Sequence, residues 1–295
     1  MKNYQAYLII LFILFMTGAC TSEKTTEQTS EQQEAFSSPA VEENPLKEAY
    51  FGEQHLHTGA SMDAFIAGTR LTPDDAYRFA KGEEVMVNGS LHKIKRPLDW
   101  CAVTDHSEFL GESSSLMDPD DPGYNDPVAT AFRETTDYEE ALGLYKKYVL
   151  DALAGGGSPH PPFFQGEESI KSAWKRNFDA TEKPNDPGTF TTIHAYEWSA
   201  APDGANLHRN VFFRDTNVPE IPFSSNESPD PIKLWEWMQE QRDKGMRVFC
   251  IPHNSNEGKG MEFAEATLSG DPITQAYIKT RATMEPLIER IAGFW

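Results

Sequence analysis

Four short apolar runs limit how this chain can fold. Tyr50 to His57, Leu98 to Thr104, Thr189 to Tyr196 and Arg247 to Ile251 are rich in β-branched, aromatic and thiol side chains. Such runs read as strands, and each gives way to a histidine or an acid. Helical stretches lie between them. Thr72-Pro73-Asp74-Asp75 has the cap, first-turn proline and first-turn acids of a helix that Gly82 ends. Tyr138 to Leu153 and Glu167 to Phe178 follow with helical spacing, and Ile232 to Lys244 is an amphipathic helix stopped by Gly245. Strand and helix in alternation predict an α/β fold with a barrel-like parallel sheet.

In a strand from Tyr50 to His57, the period of two turns His55 and His57 to one face and Leu56 to the other. Gly59 and Ser61 end the strand, and Asp63 can fold back from the loop. Imidazoles and a carboxylate converging on one point suit zinc, manganese or iron. Taken alone, the His-x-His is either a ligand pair or two incidental histidines. The other runs decide between these, because they end at Asp105-His106, Glu197 and Pro252-His253, with His208 near the start of a strand running to Arg214. Strand ends of an α/β barrel meet at one face, where catalysis is sited, so a divalent metal centre is expected there. The remaining histidines read otherwise: His160 as a loop residue, His194 as a core residue facing away from Glu197, and His92 as solvent-facing.

The first fifty residues are not globular in character. Lys2, the apolar run Tyr7 to Met16 and Thr17-Gly18-Ala19-Cys20 read as a signal peptide over residues 1–20. The Gly-Ala-Cys sequence resembles a bacterial lipobox, which would lipidate Cys20 and hold the chain at the cell envelope, periplasmic or outer-membrane. Thr17 departs from the usual leucine, and ordinary cleavage is the alternative. Residues 21–48 are Ser, Thr, Glu and Gln with little to bury, a tether of roughly 30 Å, leaving 49–295 as the folded domain. The net charge of −20 argues against nucleic acid, whose phosphates call for basic patches, so an anionic small-molecule substrate would need bound metal to attract it. With Cys20 assigned to lipid, Cys101 and Cys250 are expected to be buried free thiols.

His55-Leu56-His57-Thr58, Thr104-Asp105-His106, Tyr196-Glu197-Trp198, Asn206-Leu207-His208-Arg209-Asn210-Val211 and Pro252-His253-Asn254, in that order, resemble the DUF3604 family. That family is similar to the PHP (polymerase and histidinol phosphatase) metal-dependent phosphoesterases. The resemblance implies a distorted, seven-stranded TIM-like barrel carrying two or three divalent ions. By it, His55 and His57 hold the first ion, Glu197 bridges to a second completed by His208 and His253, and Asp63 and His106 belong to a third. It implies hydrolysis of a phosphate ester with a metal-bound hydroxide as nucleophile. Asp105 would orient His106 or assist proton transfer. Arg209 would either contact a phosphate oxygen or pair with one of the many acids. The family pattern also continues past this chain to an Asp-x-His on a last strand. None occurs here, so the barrel is expected to be incomplete at its C-terminus. A non-catalytic remnant and a hydrolase of another bond are the alternatives.

Overall fold

The computed structural model describes residues 48–151 and 160–289. The expected signal segment at 1–20 and the expected tether up to residue 47 lie outside the described residues, as do 152–159 and 290–295. From Ala49 onward the described residues belong to one compact unit.

The first run forms a ladder only at Gly52–Glu53 (β1), which pairs in parallel with Trp100–Cys101 (β4). Gly52 is needed there, since a Cβ would sit 2.1 Å from the Trp100 ring. Beyond Glu53 the Thr104 hydroxyl takes the Leu56 N–H, so the chain stays extended without a regular ladder. Between them lie Met62–Ile66 (α1), Pro73–Ala80 (α2) and a hairpin of Val85–Val87 (β2) with Ser90–His92 (β3). Helix α2 starts as the sequence predicts: Thr72 and Asp75 form a capping box around Pro73.

Leu110–Met117 (α3), Pro127–Glu134 (α4) and Tyr138–Tyr145 (α5) follow, and the expected helix beyond Tyr145 widens into a π turn at Lys146–Leu150. Glu167–Glu182 (α6) leads into Thr191–Thr192 (β5), which pairs with β4, and His194–Trp198 (β6). Arg209–Phe213 (β7), Pro231–Asp243 (α7), Val248–Pro252 (β8) and Gln275–Met284 (α8) complete the order.

The parallel, seven-stranded barrel is not what forms. Among the described residues the strands make three small sheets, β1-β4-β5, β2-β3 and β6-β7-β8, none closed, and β6-β7-β8 is antiparallel throughout. The cause is local. The link from Trp198 to Arg209 is too short for the crossover of a dozen or more residues that parallel neighbours require. It turns through the 3-10 segment Pro202–Gly204 instead. The fold is mixed α/β. A parallel bridge between His106 and Glu197 joins the run after β4 to β6.

Period two sorts the β6-β7-β8 side chains. Tyr196, Trp198, Val211, Phe213, Val248 and Cys250 face a helical layer in which Trp174 of α6 and Leu234, Trp235 and Met238 of α7 are buried. Burying an aliphatic side chain such as Leu234 contributes roughly 1.5–3 kcal/mol, so this layer holds the helices on the sheet. Ala195, Phe212 and Ile251 turn to the opposite face with Ala102. Cys101 and Cys250 are buried and free, as expected.

Candidate metal centre

The same alternation carries Glu197, His208 and His253 to the Ala195–Phe212–Ile251 face, above that small apolar cluster. His253 N–H donates to the His208 carbonyl at 3.2 Å, continuing the β7–β8 register by one pair. Because the sheet is antiparallel, the site lies where β6 and β8 end and β7 begins, not at a ring of strand C-termini.

Glu197 is buried, and five imidazoles surround its carboxylate. Oε2 lies 2.8 Å from His57 Nε2 and 3.2 Å from His55 Nε2. Oε1 lies 2.7 Å from His208 Nδ1, 3.3 Å from His253 Nε2 and 3.4 Å from His106 Nδ1. Asp63, half exposed, reaches His57 Nδ1 at 3.0 Å and His106 Nε2 at 3.4 Å. Ser61 Oγ donates to Asp63 Oδ1 at 2.7 Å. Ser199 hydrogen-bonds His106 Nδ1. Four overlapping ligand sets result among the described residues: His55–His57–Glu197, His57–Asp63–His106, His106–Glu197–His208, and His55–His253–Glu289.

All seven expected ligands therefore converge, grouped differently from the expectation. The first set has the expected members. Asp63 and His106 are joined by His57. His208 shares a set with His106, and His253 falls with His55 and Glu289. Glu289 is the addition: its Oε2 lies 3.4 Å from His55 Nδ1, is held by Gln54 Nε2 at 2.6 Å, and its N–H donates to Pro252 O. It sits beyond α8 in no strand, so period two could not find it. The only signal was an acid closing the apolar stretch Pro286-Leu287-Ile288.

Two expected catalytic residues are placed elsewhere. Asp105 neighbours His106, so period two sends it to the opposite side, where Cys101 and Val103 pack. There its buried carboxylate accepts the Thr58 N–H at 2.6 Å and the Thr58 hydroxyl at 2.7 Å. It fixes the turn after His57 rather than orienting His106, and burial raises its pKa. Arg209 follows His208 and for the same reason faces the helical layer. It is 2% exposed, with Glu262 at 2.8 Å and Glu285 at 2.9 Å. The acid-pairing alternative is the one formed, and no phosphate contact is open to it. His194 is a core residue as expected, stacked on Phe178 and paired with Glu182 at 2.7 Å. His160 is not merely a loop residue, since its Nδ1 meets the buried Glu112 at 2.5 Å.

A family profile described as "Protein of unknown function (DUF3604)" matches residues 44–292. The chain belongs to the DUF3604 family. No curated protein and no solved structure matches it.

The electrostatics of this DUF3604 centre suit a cation. Burial would raise the Glu197 carboxyl, but the imidazoles around it outweigh that and hold it well below its ordinary range. Burial lowers the His55 imidazole, yet hydrogen bonds to Glu197 and Glu289 prevail and lift it to about 9. His57 is raised against burial by Asp63 and Glu197. His253 is lowered, burial outweighing Glu197; its Nε2 faces Glu197 Oε1 at 3.3 Å, while its buried Nδ1 makes no hydrogen bond. A buried ring nitrogen left without a partner is costly unless something binds it. Nitrogen and oxygen donors within 4.8 Å of one another are the donor set that zinc, manganese or iron takes. The residues present fit such an ion.

Proposed function

We propose that this DUF3604 protein is a divalent-metal-dependent hydrolase of small molecules, acting on phosphate esters in the manner of the PHP phosphoesterases. The observation that carries this reading is the five-imidazole shell around the buried Glu197. Left alone, a carboxylate so buried would cost several kcal/mol, and the imidazoles that offset it are of the side-chain type that ligates transition metals. His55, His57 and Glu197 would hold one ion, with Asp63, His106, His208, His253 and Glu289 available for one or two more. Bound there, a divalent ion supplies a Lewis acid and brings the pKa of water toward neutrality.

The chain's own residues do the rest. Asp105 positions the His57–Thr58 turn through Thr58. Ser61 and Ser199 hold Asp63 and His106. Among the described residues no lysine or arginine lines the cavity beside His106 and His208, so the charge of an anionic ester falls to the bound cations, in keeping with a chain of net charge −20.

Elemental analysis of purified, buffer-rinsed protein should find at least one zinc, manganese or iron per chain. A generic aryl phosphate should be hydrolysed, and chelation should abolish turnover until metal is restored. Protein that retains no metal and shows no metal-dependent turnover would end this reading.

Protons compete with metal for the same nitrogens. In the metal-free protein His55 holds its proton up to about pH 9, so loading should strengthen as pH is raised from 6 toward 9 and should release protons. Titration in buffers of differing ionisation enthalpy measures that release. Affinity independent of pH would show that these imidazoles are not the ligands.

A further inference from the structure

A cavity of about 490 Å³ opens beside the centre, with Asp63, His106 and His208 along one edge. Its volume lies in the range of small-molecule sites, roughly 300–1,000 Å³. The wall away from the ligands is apolar: Met62 and Ile66 from α1, Leu142 and Tyr145 from α5, and Phe109. Phe109 caps α3 with φ of 64°, and its ring meets Tyr145 edge-on at 5.9 Å between centroids. The long excursion between β4 and β5 therefore supplies one side of this wall. Glu108, 6% exposed, lines the polar side with Ser199 and Ser225. Its Oε1 accepts the Ser225 and Ser199 N–H groups at 2.5 and 3.2 Å. Its Oε2 is buried with no hydrogen bond; His106 Nδ1 is 3.9 Å away, beyond bonding reach.

We propose that this cavity receives the leaving alcohol of the ester, an aromatic or similarly flat apolar group packed against Met62, Ile66, Phe109, Leu142 and Tyr145. The proposal rests on the hydrolase reading, which puts the phosphoryl group at the His106–His208 edge. Water's oxygen then ends on phosphorus, the P–O bond to the alcohol breaks, and a proton from water ends on the departing oxygen, giving alcohol and inorganic phosphate. A second phosphate or a carboxylate on the alcohol would meet Glu108 and, among the described residues, no lysine or arginine, so monoanionic leaving groups and polyanionic esters are disfavoured.

Two esters with alkyl leaving oxygens separate the effects: 2-phenylethyl phosphate and glycerol 3-phosphate. With metal-loaded protein, kcat/KM should fall in that order by about tenfold or more, the loss of one buried aromatic group. Binding of 2-phenylethanol alone, followed by saturation-transfer NMR, gives a readout that needs no turnover. Phe109→Gly, which the positive φ tolerates, should weaken that binding about tenfold, the loss of one aromatic contact. Leu142→Ala tests the same wall from α5. Alcohol binding without turnover of any ester would sustain the cavity assignment and remove the hydrolase reading. Equal turnover of the two esters, with no detectable alcohol binding, would overturn the assignment and leave the hydrolase standing.

Discussion

Glu197→Gln should yield a protein that no longer retains metal and no longer hydrolyses an aryl phosphate. The substitution keeps the volume but removes the anion on which His55, His57, His106, His208 and His253 converge. Loss of an outer-shell partner already costs roughly 10–100-fold in metal affinity or activity. Loss of an atom pair shared by two ligand sets should exceed that. The metal-free protein should also lose stability, by about 3–5 kcal/mol where buried imidazolium is left unpaired. The sign of the pH dependence follows from His55, whose folded pKa is raised from 6.5 to about 9. Such a group stabilises fully below 6.5 and loses its contribution as pH rises through 9. The deficit of the variant should therefore be largest near pH 6 and shrink toward pH 9. Metal content and denaturant unfolding at both pH values measure the two effects. A variant with unchanged metal content would remove Glu197 from the centre.

What could be read in advance follows the range of each signal. Side-chain alternation is local, and it placed His55 and His57 together with Leu56 opposite, and set His194 apart from Glu197. Applied once more, it would have turned Arg209 away from His208 and Asp105 away from His106. In both cases chemical type had outweighed geometry. Strand direction is not local. Apolar runs ending in ligand types read as parallel strands, and only the short Trp198–Arg209 link carried the information that β6 and β7 are antiparallel. Glu289 depends on where the segment after α8 packs, and Glu108 on the Ser199 and Ser225 backbone that holds its carboxylate. Both are tertiary facts with no periodic trace.

Arg209→Met should lower stability sharply while leaving substrate recognition in place. The guanidinium donates to Glu285 Oε1 at 2.9 Å, to Glu262 Oε1 at 2.8 Å and to the Leu207 carbonyl. Arg281 joins the same two acids, and Trp235 Nε1 donates to Glu285 at 2.9 Å. Glu262 Oε2 has no hydrogen bond even now, and burial already raises Glu262 against the pull of Arg209. Removing the buried cation leaves two buried carboxylates to one partly exposed arginine, a change that costs about 3–5 kcal/mol. For a domain of this size that is a fall in Tm of roughly 6–20 °C. Arg209→Lys should recover only part, since an ammonium cannot span two carboxylates and a carbonyl in one plane. An arginine that bound phosphate would behave differently, giving little change in Tm and a rise in KM of about tenfold or more. Calorimetry and KM measured well below the transition separate the two, and a KM rise at unchanged Tm would return Arg209 to the substrate.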